Sequence, residues 1–444
     1  MKAPFSDHTT APALTSQSFY KALTVCLCLY IPMAFSTESS FIEDWDFTGF
    51  GTLGYAQSDK YSDLILKRDV SQRSQEIEDK NWLVDSRLGL QLRKELNLDW
   101  DLMAQVVAQE KTRNTLENSI EMAFLRYQAN DNWRFRAGRM VLDIFQLSDH
   151  RNVGYSYHWV RPPTEFYGWI PFNHYDGFNT SFELTNLDSL LRLEAYVGQT
   201  EATVNIGYTQ RGSSYNIVKA NPTQGIGITW QKGDLTLRAN LTLFRITEEI
   251  EAITELKSFT NDPVIQNAWP EAAQIADDYA LRDAWFNYVS WGFTWNPRAW
   301  VLQGEFSDID SDSYGTYDGQ RAYLHLGYRF GRFLPHLTYS RSWDYRDYPY
   351  DPAPATPTDV LPAGTLEALE LTIKDNRLSG IVNQYTISIG VRWDFASQKT
   401  LKLQCDRTTL YDGSLGIFPT PEPAPRNWQE DVRTWCSTTF DWIF

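Results

Sequence analysis

The stretch that decides the fold is residues 436–444, CSTTFDWIF. Counting back in twos from Phe444 gives Trp442, Phe440, Thr438 and Cys436, and mostly polar or small residues lie between them. This period of two predicts an amphipathic β-strand, with Ile443 as its one exception. The large apolar side chain that ends the strand has to be buried. We expect it either in the core of a soluble protein or at a membrane–water interface, within a ring of aromatic side chains.

The composition favours the membrane. The chain has 444 residues, 15% of them aromatic (17 Trp, 24 Tyr and 24 Phe), with a mean hydropathy of -0.43. No run of 18 apolar residues occurs, so the sequence predicts no transmembrane helix. Many aromatic residues with a polar average are typical of a transmembrane β-barrel, because its apolar lipid face and polar lumen alternate along each strand. The net charge of -16 argues against a nucleic-acid partner and suits a surface that meets cations.

The first residues have the pattern of a secretory signal peptide. Lys21 precedes the apolar run 22–35, and small residues follow at Ala34 and Ser36. We therefore expect a signal peptide over residues 1–36 and a mature chain over residues 37–444. The stretch before the apolar run is long for a signal peptide, which indicates a translation start downstream of Met1.

Sixteen segments of the mature chain have the period of two that predicts strands. In one of them Tyr385, Ile387 and Ile389 alternate with Thr386 and Ser388. The segments are residues 46–57, 81–94, 98–110, 118–128, 132–143, 175–185, 189–200, 223–231, 234–246, 284–296, 299–308, 319–330, 332–343, 383–395, 399–410 and 432–444. Eighteen strands is the alternative count.

Short and long connections alternate between these segments. Short turns are expected at residues 130–131, 186–188, 232–234, 296–297, 331–332 and 397–398. Long loops are expected at residues 58–80, 144–174, 201–222, 247–283, 309–318, 344–382 and 411–431. Short turns on one side and long loops on the other are the layout of a bacterial outer-membrane barrel. The predicted fold class is therefore all-β, a closed antiparallel transmembrane barrel with about 16 strands.

Three motifs resemble those of the sixteen-stranded porin family of Gram-negative outer membranes. They are residues 47–55 (FTGFGTLGY), residues 136–139 (RAGR) and the terminal Phe444. The resemblance covers essentially the whole mature chain. It implies an outer-membrane location, a homotrimer of barrels that each have a pore, and a third loop folded into the barrel.

The segment that corresponds to this third loop, residues 144–174, is rich in aromatic and charged residues, and Pro162-Pro163 stiffens it. We expect it to form a constriction, with Glu165 and Asp176 facing arginines on the wall. The predicted pore-lining residues are Arg87, Arg134, Arg136, Arg161, Glu165, Asp176, Arg329 and Arg392. The alternative is an exposed loop that packs on itself or on a neighbouring subunit.

Two further patterns allow a functional and a structural interpretation. Residues 49–54 match GxGxxG, but they lie inside a strand, where glycine indicates close approach rather than a nucleotide site. Asp308, Asp310 and Asp312 lie in a predicted loop and are weak candidates for a divalent-cation site, because the sharp-turn glycine and the closing glutamate of a calcium loop are missing. A solvated acidic loop is the alternative.

Cys405 and Cys436 are the cysteines left after the signal peptide. Both share the outward face of two strands that follow each other in a hairpin, so a cross-strand disulfide and two free thiols both remain open. One residue of register decides between them.

No GxSxG, HExxH, CxxC or P-loop motif occurs, so we expect no enzyme and no cofactor. The expected function is a water-filled channel for passive diffusion of small polar solutes and ions. The expected partners besides these solutes are outer-membrane lipid and lipopolysaccharide. The alternatives are a substrate-specific porin for sugars or anions, and an outer-membrane enzyme or adhesin on a barrel scaffold.

Overall fold

The structure is a computed structural model. It describes residues 45–58, 66–73, 80–186, 188–209, 212–315, 318–345, 352–378, 382–411, 414, 416–417 and 431–444. The predicted signal peptide, residues 1–36, lies outside the described residues.

The described part of the chain forms seventeen strands. They are β1 (Asp46–Ser58), β2 (Lys80–Asn81), β3 (Arg87–Glu95), β4 (Trp100–Gln109), β5 (Ile120–Gln128), β6 (Trp133–Val141), β7 (His174–Asn186), β8 (Ser189–Thr209), β9 (Gly212–Lys232), β10 (Leu235–Ile246), β11 (Trp285–Trp295), β12 (Trp300–Ser311), β13 (Gly319–Tyr328), β14 (Phe333–Asp344), β15 (Gln384–Ala396), β16 (Lys399–Leu410) and β17 (Asp431–Ile443).

These strands form one closed antiparallel sheet. Each strand from β3 onward pairs with the next, and β1 pairs with both β17 and β3, which closes the ring. The two-residue β2 is a short addition beside β1. The barrel proper thus has sixteen strands within the described residues, which confirms the predicted fold class.

The outer face of the barrel is apolar. Exposed side chains such as Leu90, Phe178, Leu324, Ile389 and Leu403 alternate with buried polar ones along their strands. Near the short turns, aromatic rings pair across neighbouring strands at centroid distances of 4.5–6.0 Å: Trp100–Tyr127, Trp133–Phe182, Trp300–Tyr328, Phe333–Trp393 and Phe395–Phe440. An apolar band bordered by aromatic rings is the lipid-facing surface of a membrane barrel.

Six of the connections at one end of the barrel are the predicted short turns. Gly233 and Gly331 have φ angles of 54° and 59°, a left-handed conformation that glycine adopts without steric cost. The two chain ends of the sheet, β1 and β17, lie at this same end because the strand number is even.

The predicted long loop at residues 201–222 is wrong. β8 continues to Thr209 and β9 begins at Gly212, so the two strands form a hairpin with paired residues as far as Thr209 and Gly212. Their backbone groups are satisfied by each other beyond the body of the sheet. The β-branched residues Thr203, Val204, Ile217 and Val218 were the sequence signal for this extension.

The predicted acidic loop at residues 309–318 is also partly strand. β12 continues to Ser311, so Asp308 and Asp310 lie in a strand on its outward face. Asp312 accepts a hydrogen bond from the backbone N–H of Trp285 at 2.8 Å. Among the described residues no three His, Cys, Asp or Glu side chains are arranged to hold a metal ion.

Helices lie in the long connections. They are α1 (Leu116–Ser119), α2 (Thr164–Tyr167), α3 (Glu251–Thr260), α4 (Pro263–Ala268), α5 (Ala272–Asp278) and α6 (Thr365–Leu378), with 3-10 turns at Ser148–His150 and Gly154–Ser156. The apolar sides of α3, α4 and α5 pack with that of α6 through Leu256, Ile265, Ile275 and Leu369. Within the described range, none of these helices has the length and apolarity needed to span a bilayer.

Cys405 and Cys436 are bonded to each other in a disulfide. They are directly opposite in the β16–β17 register, and both side chains are exposed on the outer face. The structure therefore contains the cross-strand disulfide, and not the two free thiols that the sequence left open as the alternative.

Candidate functional site

The β6–β7 loop (residues 142–173) contacts strands around the barrel. Ser290 on β11 donates a hydrogen bond to the carbonyl oxygen of Ile144 at 2.9 Å. Trp159 donates its indole N–H to Thr338 on β14 at 2.8 Å, and Arg87 on β3 donates to the carbonyl oxygen of Asn152 at 2.5 Å. A segment that reaches inner-face side chains on such widely separated strands of a closed barrel lies across its interior.

A buried ion-pair cluster fixes the middle of this loop. The Arg161 guanidinium donates to both carboxylate oxygens of Asp85, at 3.0 and 2.6 Å, and lies 3.5 Å from Asp406. The Arg161 and Asp85 side chains are 2% and 0% exposed. A guanidinium buried between two carboxylates binds the loop to the wall, so Arg161 does not present its charge to the lumen.

Lysine and arginine side chains of the wall satisfy carbonyl groups of the loop. Lys402 donates to the carbonyl oxygens of Gly154 and Trp159, at 2.6 and 2.9 Å, and lies 3.2 Å from Asp441. Arg392 donates to the carbonyl oxygens of Tyr155 and Tyr157. Irregular backbone away from water needs such donors, because unpaired carbonyl groups are costly to bury.

Glu165 is an anchor of the same kind. It lies in α2, and its carboxylate accepts hydrogen bonds from Ser340 at 2.6 Å, from Gln384 at 2.7 Å and from Thr386. The residue is 1% exposed. The expectation that Glu165 faces arginines across a constriction is wrong, because hydroxyl and amide donors of β14 and β15 enclose it.

The aromatic residues of the loop form its own core. The rings of Phe145, Phe166 and Tyr167 meet at centroid distances of 5.0–5.5 Å, and Tyr288 and Tyr323 contact them from the wall. All five side chains are buried. The aromatic density that marked this segment in the sequence is therefore explained by packing inside the barrel.

Asp176 faces the outside of the barrel. Its carboxylate accepts hydrogen bonds from both Arg139 Nε and Nη2, at 2.8 and 2.9 Å, on the outward side of β6 and β7. Phe178, the next residue on the same face, is 68% exposed. The placement of Asp176 in the lumen is thus wrong. Asp176 is separated from Phe178 and Phe182 by even numbers of residues and so lies on the same face of the strand as these apolar side chains, which was the sequence signal for an outward position.

The inner wall of β3–β8 is different, since solvent reaches its arginines. Arg134 lies 3.4 Å from Glu183, which also pairs with Arg192 at 2.8 Å. Arg136 lies 3.1 Å from Glu194 and donates to Asn179. We call this set the arginine wall; its members are Arg93, Arg126, Arg134, Arg136, Arg192, Glu95, Asp101, Glu183 and Glu194. Arg93 pairs with both Glu95 and Asp101, and Arg126 pairs with Asp101.

The remaining predicted residues occupy three positions. Arg87 is buried and contacts the β6–β7 loop, donating also to the hydroxyl of Tyr157. Arg329 lies at the short-turn rim, 3.1 Å from Asp394, and Arg392 shares that carboxylate at 2.8 Å. Of the eight predicted residues, Arg134 and Arg136 belong to the arginine wall.

Residues missing from the prediction complete this site. Arg126 and Glu183 face the lumen on β5 and β7, and Arg238 on β10 lies 2.5 Å from Asp143 of the β6–β7 loop. Strand parity alone places Arg126 and Arg238 on the inner face. Their pairing with Asp101 and Asp143 depends on the register between strands and on the path of the loop.

No family model and no curated protein matches the sequence in comparisons with known proteins. Solved structures do match. An anion-selective porin from Comamonas acidovorans is 11% identical, with a TM-score of 0.48, over 90% of this chain and 99% of that one. OmpF of Salmonella typhi in complex with daunomycin is 9% identical, with a TM-score of 0.49, over 90% and 97%.

The outer-membrane channel DcaP of Acinetobacter baumannii is 13% identical, with a TM-score of 0.46, over 90% of this chain and 97% of that one. These three matched structures are porins and outer-membrane channels. Likenesses at this level of identity concern the fold, and for this chain the closed strand order establishes it.

Proposed function

We propose that the protein is a channel of a Gram-negative outer membrane, through which small polar solutes and ions diffuse passively. The arginine wall is the observation that carries this proposal, because it is a charged surface inside an apolar-coated barrel that solvent can reach. Diffusion down a gradient uses no covalent chemistry and no cofactor, so the proposal includes neither.

Exposure of the charged pairs supports a passage along this wall. The side chains of Arg93, Arg134 and Arg192 are 36%, 30% and 37% exposed, whereas those of Arg161 and Lys402 are 2% and 0% exposed under the β6–β7 loop. The loop therefore fills the side of the barrel formed by β10–β17, β1 and the start of β3. Water and solutes would pass beside the arginine wall of β3–β8.

The fixed charge of the passage favours anions. Arg93, Arg126, Arg134, Arg136 and Arg192 face it together with four strand carboxylates, Glu95, Asp101, Glu183 and Glu194, so the arginines outnumber the carboxylates by one. A net positive wall raises the local concentration of anions in a narrow, low-dielectric passage. A sugar channel would need aromatic rings along the passage. The rings of the β6–β7 loop are instead buried in its core, except that of Tyr155, which lies against Arg392. An anion-preferring channel is thus the finer form of the proposal.

The assembly stays a proposal that follows from the resemblance drawn from the sequence. A homotrimer of barrels would give each chain its own passage. Mass determination of the protein extracted in mild detergent tests it, and a monomeric mass would contradict it.

Planar-bilayer recording tests the channel itself. Purified protein added to one side should produce stepwise, steady open currents. In a KCl gradient at about 0.1 M, the sign of the reversal potential should show that anions pass more easily than cations. A barrel that serves as a scaffold for an enzyme or adhesin would give no steady currents, and that result would overturn the proposal. The matched control is the same preparation after heat unfolding.

A further inference from the structure

The arginine wall ends abruptly on its loop side. On three of its strands the next inward residue toward the loops is apolar, and the Arg136 guanidinium lies 5.7 Å from the centre of the Phe124 ring. The charged residue and its apolar neighbour are Asp101 and Met103 on β4, Arg126 and Phe124 on β5, and Glu194 and Tyr196 on β8. Charged and apolar side chains thus meet at a sharp border inside the barrel.

Each strand from β4 to β8 contributes one side chain to the apolar side of this border. We call the set the apolar layer; its members are Met103, Phe124, Met140, Tyr175 and Tyr196. Met103 is opposite Phe124 in the register, and Met140 is opposite Tyr175. The Tyr175 hydroxyl contacts the Met140 sulfur at 3.7 Å, and the centres of the Tyr175 and Tyr196 rings are 5.1 Å apart. The layer therefore extends across all five strands.

The β6–β7 loop packs on the apolar layer. Leu142, Ile144 and Phe172 of the loop belong to the same buried cluster as the layer, and the Phe172 ring lies 5.3 Å from that of Phe244 on β10. Four members of the layer are 1–7% exposed, and Met103 is partly buried against them. Water does not reach side chains buried to this degree, so in the described conformation the passage along the arginine wall ends at the layer.

The two sides of the β6–β7 loop are held by different contacts. Toward β16 and the start of β3, Arg161 is buried between two carboxylates, and separating such charges is costly. Toward β4–β8, the loop packs through the apolar side chains of the layer, and Asp143 of the loop shares a hydrogen bond with Glu194 of β8. When that bond opens, each carboxylate keeps an arginine partner, Arg238 or Arg136. The β4–β8 side is therefore the one that can part from the loop.

We propose that the apolar layer is the gate of the channel and that the described conformation is its closed state. The gate opens when the β6–β7 loop moves away from β4–β8 while Arg161 stays bound to the opposite wall. A narrow apolar constriction loses its water and blocks ions without a charged barrier. The inference rests on the proposed function, because a gate requires a channel.

Single-channel recording tests the gate. Wild type should show steady open levels separated by long closed intervals. Phe124→Ser places a small polar side chain in the layer and keeps it hydrated, so the fraction of time spent open should rise at least about fivefold. Phe145→Ser is the matched control: Phe145 belongs to the same cluster but packs against Tyr288 of β11, so the open fraction should stay at the wild-type value.

The gate would be overturned by wild type that conducts without closures, by an equal open fraction in wild type and Phe124→Ser, or by an equal rise in Phe145→Ser. Heat-modifiable mobility on gels shows that each variant has folded. Met140→Gln, which changes polarity at nearly constant volume, replaces Phe124→Ser if that variant does not fold, and the same rise in open fraction is expected.

Thiol labelling in detergent tests the closed state without any current. Gln91→Cys places a thiol beside Arg93 on the arginine wall, and Met140→Cys places one in the apolar layer. Cys405 and Cys436 are bonded to each other, so without reductant they do not react. A charged thiol reagent should label Met140→Cys at least about tenfold more slowly than Gln91→Cys, because burial excludes the reagent.

The two tests separate failure of the gate from failure of the channel. If wild type conducts and the two cysteines are labelled at equal rates, the gate is wrong and the channel stands. If wild type and Phe124→Ser both fold and neither conducts, the proposed channel itself is wrong. Addition of Phe124→Ser to Met140→Cys should speed labelling at least about fivefold, and an unchanged rate would contradict the role of Phe124 in closing the layer.

Discussion

Gly49 and Phe444 close the barrel. The N–H of each donates to the carbonyl oxygen of the other, at 2.8 and 2.9 Å, and the Phe444 ring lies where a Cβ atom of residue 49 would be. Trp442 covers Gly51 in the same way. The first two glycines of the GxGxxG pattern are therefore explained by the rings of Phe444 and Trp442, which need a flat surface on β1, whereas Gly54 makes room for Asp85 on the inner face.

The first prediction concerns this seam. Gly51→Ala places a methyl group into the Trp442 ring, so the ring has to move and β1–β17 pairing weakens by about 1–3 kcal/mol, the usual cost of overpacking. We expect a lower yield of heat-modifiable barrel on gels. Gly227→Ala is the control, because its Cβ atom would make only ordinary van der Waals contacts, with Asn240 and Ala239. Equal yields of the two variants would contradict the role of Gly51.

The second prediction concerns the anchoring of the β6–β7 loop. Asp85→Asn removes the closest carboxylate of the buried Arg161, and breaking a buried ion pair costs about 3–5 kcal/mol. We expect the loop to detach, giving a larger and noisier single-channel conductance. Glu183→Gln breaks a pair that solvent reaches and should leave the current noise unchanged. Wild-type conductance and noise in Asp85→Asn would show that this pair does not hold the loop.

The third prediction separates wall charges from anchor charges. Arg136→Gln and Arg134→Gln remove positive charge that solvent reaches, so the reversal potential should shift toward cations. The shift should be smaller at 1 M salt, where the screening length is about 3 Å, than at 0.1 M, where it is about 10 Å. Glu165→Gln should leave the reversal potential in place because its carboxylate is enclosed. A larger shift in Glu165→Gln than in Arg136→Gln would reverse our assignment.

The fourth prediction concerns pH. Burial lowers the pKa of Lys67, which donates to Asn205 at 2.8 Å, to about 7. If residues 66–73 detach from the barrel interior, Lys67 regains its ordinary pKa. Between pH 7 and about 10 the detached segment therefore binds a proton that the packed segment does not, so packing of residues 66–73 should become more stable as pH rises. Limited proteolysis of this segment should slow over that range. Lys67→Met cannot ionise and should abolish the pH step; a step that persists would assign it to another group.

The barrel itself could be predicted from the sequence. Side chains of a strand alternate between its two faces, so the period of two in residues 385–389 and 436–444 gives strand, outer face and inner face together. The short turns at Gly233 and Gly331 could also be predicted locally, because glycine adopts the left-handed conformation that these turns require. The extension of β8 and β9 was missed because residues 201–222 were assigned to a loop, although their β-branched residues favoured strand.

The roles of the inner charges could not be predicted in this way. Arg134 and Arg161 are equally plausible pore residues in the sequence, yet one lies on a wall that solvent reaches and the other is buried against Asp85. The alternation of side chains along a strand shows which face of the sheet a side chain is on. Whether an inward side chain is buried depends on the path of the β6–β7 loop. That path is set by contacts between residues far apart in the sequence, such as Arg161 and Ser437, which are 276 positions apart, and no local pattern encodes such contacts.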